Sequence, residues 1–112
     1  MNSMDQVQET IAKQVKENPI LLYMKGSPQQ PQCGFSMRAA QALAGCGKEF
    51  AYVDVLQDEA IRQGIKEFGN WPTIPQLYLN GELVGGCDII MEMYESGDLQ
   101  KMVDQAAESA SN

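Results

Sequence analysis

Apolar residues along the chain follow more than one period, and the changes of period mark out the elements. Val7, Ile11 and Val15 recur every four residues, as on one face of a helix. Ser3 followed three residues later by Gln6 gives that helix a capping-box start, and Asn18-Pro19 closes it. Ile20-Leu21-Leu22-Tyr23-Met24 is then apolar without a break, the pattern of a strand covered on both faces. Residues 26–32 contain Pro28 and Pro31 and no apolar period, so they read as a loop delivering the chain to Cys33. Over 35–43 the positions Met37, Ala39, Ala40 and Ala42, with Ala44 beyond, suit a helix that Gly45 and Gly47 stop.

Residues 50–55 read as a second strand, and Asp58 is placed to cap a helix over 59–68 that Gly69-Asn70 ends. Gln76-Leu77-Tyr78-Leu79 and Glu82-Leu83-Val84 flank Asn80-Gly81, a strong signal for a two-residue hairpin. After Gly85-Gly86 a helical period resumes with Ile89, Ile90, Met93 and Tyr94, breaks at Gly97 and continues from 99 to about 106. Residues 109–112 read as a frayed tail, leaving 1–108 as one domain. The order predicts an α/β chain with a thioredoxin-like fold: a four-stranded mixed sheet flanked by helices on both faces, its first crossover right-handed.

Composition narrows the function. Apolar residues make up 44% of the 112 and charged residues 21%, in the range of an ordinary globular core. Eight Lys and Arg against fifteen Asp and Glu give a net charge of -7, which argues against nucleic acid as a partner. No apolar run approaches the ~20 residues of a membrane span, and the first residues show no basic stretch leading into an apolar one. Three cysteines are an odd number for a disulfide scaffold, so a reducing, cytoplasmic setting is expected.

Among the cysteines, Cys33 is the chemical candidate. It stands where a loop enters a helix, and unpaired N–H groups and the helix dipole favour a thiolate there. Gly34 leaves space beside the sulfur, Ser36 brings a hydroxyl to the same turn, and Lys25 ends the preceding strand. Thiol–disulfide exchange through a C-x-x-C pair needs a second thiol, and Ser36 stands where it would be. Cys46, between two glycines, reads as structural. Trp71 and Tyr23 read as core or pocket-wall aromatics. Five of the basic residues, Lys25, Arg38, Lys48, Arg62 and Lys66, fall within 25–66, consistent with a positive site on a negative body.

Cys33-Gly34-Phe35-Ser36, with Lys25, Trp71-Pro72-Thr73-Ile74-Pro75-Gln76 and Gly85-Gly86-Cys87-Asp88, resembles the CGFS-type monothiol glutaredoxins. The likeness covers roughly residues 4–105 with the motifs in the family's order. It implies a glutathione site formed by Lys25, Arg62, Thr73, Ile74, Pro75, Gly86, Cys87 and Asp88, with Lys66 either assisting or simply solvated. It also implies a cis Ile74–Pro75 bond that turns the Ile74 backbone toward the tripeptide. The family usually has Phe at the position of Ile74, but the contact there is through backbone. Asp88 can receive the ligand's ammonium group or cap the next helix. Cys87 can be an auxiliary thiol that pairs with Cys33 on oxidation, or structural.

A [2Fe-2S] cluster takes about four thiolates, and three scattered cysteines lack ferredoxin spacing. The resemblance implies that Cys33 from each of two chains and two glutathiones complete the set in a homodimer. The expected role is cluster transfer or storage for apo iron–sulfur proteins, with a BolA-type protein as a further partner. The alternative is a glutathione-dependent oxidoreductase acting on mixed disulfides, weakened by a 26–32 loop longer than in dithiol relatives. A plain interaction module is the third reading.

Overall fold

In the computed structural model the chain is described over residues 3–111, and its side chains over 5–109. Helix α1 (Ser3–Glu17) precedes strand β1 (Ile20–Met24), helix α2 (Gly34–Gly45) and strand β2 (Ala51–Asp54). Helix α3 (Glu59–Gly69) leads to the hairpin β3 (Gln76–Leu79) and β4 (Glu82–Gly85), then to helices α4 (Cys87–Ser96) and α5 (Asp98–Ser111). The sheet order is β2-β1-β3-β4. β1 runs parallel to β2 and antiparallel to β3, and β4 is antiparallel to β3.

The unbroken apolar run of β1 is the reason the sheet has two covered faces. Leu21 and Tyr23, with Tyr78, pack against Ile11 and Val15 of α1 and Ile61 and Ile65 of α3. Ile20, Leu22 and Met24, with Leu77 and Leu79, face the other way onto Ala39 and Leu43 of α2, Ile90 of α4 and Leu99 and Val103 of α5. Burying each large apolar side chain contributes roughly 1.5–3 kcal/mol. α1 approaches α3 closely because residue 64 is glycine: a Cβ there would collide with Val7.

Several boundaries differ from the sequence expectation for local reasons. β2 is shorter than 50–55, because the Asp54 carboxylate accepts the Leu56 N–H (3.0 Å) and turns the chain into a 3-10 turn at Val55–Gln57. Asp58 caps α3 as expected, through the Ala60 and Ile61 N–H groups. Asn70, not Gly69, adopts the left-handed conformation that ends α3 (φ 50). Gly69 is needed instead for space, since a Cβ would strike the Tyr78 hydroxyl. α5 continues to Ser111, past the last core residue Ala106, because Ala107 and Glu108 are good helix formers and no Gly or Pro interrupts them. The capping contact expected of Ser3, and the part of the tail beyond Ser109, lie outside the described side chains.

The 26–32 loop is closed rather than loose. The Gln32 N–H donates to Lys25 O (2.9 Å), Ser27 and Gln30 exchange backbone bonds, and the Gly26 N–H donates to Asp54 (2.9 Å). The loop therefore springs from the C-terminal end of β1, tied to the end of β2, and returns Cys33 to that same end of the sheet.

Candidate functional site

Cys33 is the N-cap of α2, in extended backbone (φ -156, ψ 134) and half-buried. Its side chain closes no conventional capping bond. Burial by itself would push the thiol pKa up. The backbone N–H groups of Ser36 and Phe35, the Ser36 hydroxyl and the Lys25 ammonium outweigh that, and the pKa lies below the ordinary thiol value. Ser36 is fully buried, and its hydroxyl oxygen also accepts the Lys25 N–H (3.0 Å), so the β1 end and the α2 start are locked together. Cys46 and Cys87 behave oppositely. Burial raises both pKa values, with Asp104 adding to the rise at Cys46.

A cavity of about 230 Å³ is lined by Thr73, Ile74, Pro75, Gly86, Cys87 and Asp88, together with Trp71 and with Phe35, two residues after Cys33. Six of the residues picked out from sequence are thus brought together. The Ile74–Pro75 bond is cis, as the resemblance implied. Gly86 caps α4 with no side chain, leaving the first N–H groups of that helix without a capping partner from it. A Cβ at Gly86 would sit 3.2 Å from Trp71 Nε1 and 3.3 Å from Pro75 O, so the cradle has room there only for glycine or a small adjustment. A second cavity, about 280 Å³, shares Phe35, Thr73 and Ile74 and is lined by Lys25 and Lys66.

The cations do not all line the cavities. Lys66 lines the second cavity with Lys25, whereas Arg62 lines neither; its Nη1 lies 3.8 Å from Glu59 Oε2, one turn back on α3. Arg38 stands over the Phe35 ring (5.2 Å to its centre) and acts on the Cys87 thiol, and Lys48 lies at a separate cleft with Glu49. Asp88 is not the cap of α4, a position Gly86 takes; it is an exposed residue of the first turn. Cys33 and Cys87 are near enough that a charge on Cys33 disfavours one on Cys87.

Two residues escaped the sequence reading. Phe35 is 55% exposed despite its size and borders both cavities. Gln76 is fully buried behind the Trp71–Thr73 stretch. A glutamine opening an otherwise apolar strand was the available signal for it.

A glutaredoxin family model matches residues 20–84. The chain is 60% identical over 99 residues to "Glutaredoxin 4" of Escherichia coli K12, covering 88% of this chain and 86% of that one. Among solved structures, reduced poplar apo GrxS14 superposes with a TM-score of 0.82 at 43% identity, over 95% of this chain and 98% of that chain. A buckwheat glutaredoxin–glutathione complex reaches the same TM-score, 0.82, at 21% identity over 93% of each, and shares the fold. The four-stranded sheet with five helices is thus the thioredoxin-like glutaredoxin fold.

Proposed function

The chain belongs to the glutaredoxin family, as a monothiol member, and on that premise we propose that it binds glutathione beside Cys33 and carries a [2Fe-2S] cluster between two copies, for transfer or storage. The observation that carries this reading is the single activated thiol: Cys33 has a lowered pKa, and the position where a second thiol would stand is a buried serine.

The residues fit such a cargo only in part, and the part is informative. Among the described residues no three of His, Cys, Asp and Glu form a metal-binding group. Cys46 and Cys87 are buried with raised pKa values, so one chain offers one ready thiolate. The remaining thiolates of a four-ligand cluster must come from outside. The first cavity supplies what a thiol-bearing tripeptide requires. Thr73–Pro75 gives one wall, the α4 start offers free N–H groups to a carboxylate, Asp88 can receive an ammonium group, and Lys25 and Lys66 bring positive charge to the adjoining cavity. A second copy then completes the set, and a BolA-type protein or an apo iron–sulfur protein would meet the same face. All three cysteines are free in the structure, which suits a cytoplasmic setting.

The accessible, acidified thiol also supports a second use. The Cys33 thiolate attacks the glutathionyl sulfur of a mixed disulfide and releases the substrate's thiolate. A second glutathione thiolate then displaces Cys33, leaving glutathione disulfide.

Anaerobic reconstitution with iron, sulfide and glutathione tests the main reading. The chain should give a coloured species of twice the monomer mass, lost in Cys33→Ser. A colourless monomer, or equal colour in Cys33→Ser, would overturn it.

A further inference from the structure

We propose that Gln76 is a positioning residue for the ligand cavity, holding the Trp71–Ile74 wall in place through the two outward ends of its side-chain amide. The proposal rests on the reading of that cavity as a glutathione site.

Gln76 is 0% exposed and opens β3 directly after Pro75. Its Nε2 donates to Trp71 O (3.0 Å) and to Thr73 O (3.2 Å), and its Oε1 accepts from the Tyr78 hydroxyl (2.9 Å). Every polar atom of the amide is therefore engaged. The two carbonyls can only accept, so they fix the NH₂ side of the amide and leave Oε1 to accept from the Tyr78 hydroxyl. Burial raises the Tyr78 pKa to about 12, so that donor stays protonated at any working pH. Gly69 completes the support, because any side chain there would push the Tyr78 hydroxyl away.

The stretch held in this way is the wall common to both cavities. Trp71, Thr73 and Ile74 line the first, and Thr73 and Ile74 the second, where Lys25 and Lys66 stand. With the Trp71 and Thr73 carbonyls drawn inward, the Thr73 side chain and the Ile74 backbone are left for the cavity side. The Trp71 N–H is pinned separately by Lys66 O (3.0 Å), which links the wall to the helix carrying the second cation. Gln76 touches neither cavity, so its influence on a ligand passes through the loop alone.

The test is calorimetric titration of reduced glutathione into the full chain, its Gln76→Met variant and its Gln76→Glu variant, with thermal unfolding recorded alongside. Gln76→Met stays close in volume but leaves the Trp71 and Thr73 carbonyls without their donor and the Tyr78 hydroxyl without its acceptor. Affinity for glutathione should therefore fall on the order of fivefold. Gln76→Glu at pH 5.5 carries a protonated acid that restores one donor, so it should bind more tightly than Gln76→Met, whatever either change does to the melting temperature. Binding by Gln76→Met within twofold of the parent, or Gln76→Glu at pH 5.5 no better than Gln76→Met, would overturn the role of Gln76 while leaving the glutathione site standing. Should Gln76→Met not fold, Gln76→Glu against the parent at pH 5.5 and 8.5 decides, with equal affinity at both pH values overturning the proposal. No binding by the parent would overturn the site reading and this inference together.

Discussion

Cys33 and Cys87 both stand at the beginning of a helix, on helices that pack against each other, yet their thiols are driven in opposite directions. Each has access to the same resources, a helix dipole and N–H groups without intrahelical partners. Cys33 is the N-cap itself, half-buried, with the Ser36 hydroxyl and the Lys25 charge nearby. Cys87 lies one residue inside its helix behind Gly86, is 9% exposed, and has Asp88 and Cys33 as charged neighbours against a single helpful Arg38. A helix start alone does not activate a thiol. Exposure and the sign of the neighbouring charges decide whether the dipole's contribution survives desolvation.

The largest consequence is chemical selectivity. With limiting iodoacetamide at pH 7 on the reduced chain, Cys33 should be alkylated about tenfold faster than Cys87 or more, because the thiolate is the attacking species and each step in pKa changes its fraction steeply. Peptide mass spectrometry over a time course gives both rates from one sample. Comparable rates would mean that burial does not separate the two helix starts.

A smaller effect isolates what Ser36 adds on the Cys33 side. Ser36→Ala removes the hydroxyl but keeps the backbone N–H, so the Cys33 alkylation midpoint should move up part of the way toward a free thiol. The Cys87 midpoint should stay where it is. The change also strips the Lys25 N–H of its acceptor, costing about 1 kcal/mol and a few degrees of melting temperature. An unmoved Cys33 midpoint with the stability loss present would leave Ser36 a purely structural anchor.

How far this contrast could be read from the residues alone differs between its two halves. Cys33 was legible because a loop, a cysteine and a helical period follow one another in sequence, and the advantage of that position is local. The central place of β1 and the β3–β4 pairing were legible too, since β1 is apolar throughout and Asn80-Gly81 fixes the hairpin. Cys87 was not, because two of the charges that act on its thiol, Arg38 in α2 and Cys33 at the start of that helix, are remote from it in sequence. The surroundings of the cations are non-local as well. Arg62 and Lys66 sit one turn apart on α3 and look equivalent in sequence, but Glu59 engages Arg62 while Lys66 is left to face Lys25's cavity. Gln76 stood out only as a polar residue opening an apolar strand, and its role could not be read from there because its Nε2 partners are backbone carbonyls, which carry no residue identity.

The smallest effect lies in stability, and its sign distinguishes the two cysteines. Cys33 has a folded-state pKa below its unfolded value, so its contribution is present above the unfolded thiol pKa and is lost as pH falls through the folded value. Cys87 has a folded-state pKa above its unfolded value, so its contribution is full below the unfolded thiol pKa and is lost as pH rises through the folded one. Serine at either position removes the corresponding titration. Measured by urea unfolding across the alkaline range, the parent should gain stability relative to Cys33→Ser as pH rises toward the free-thiol pKa. Against Cys87→Ser it should lose stability once pH passes that value. Two difference curves sloping the same way would show that the helix starts are electrostatically alike, and that accessibility alone separates the reactivities of Cys33 and Cys87.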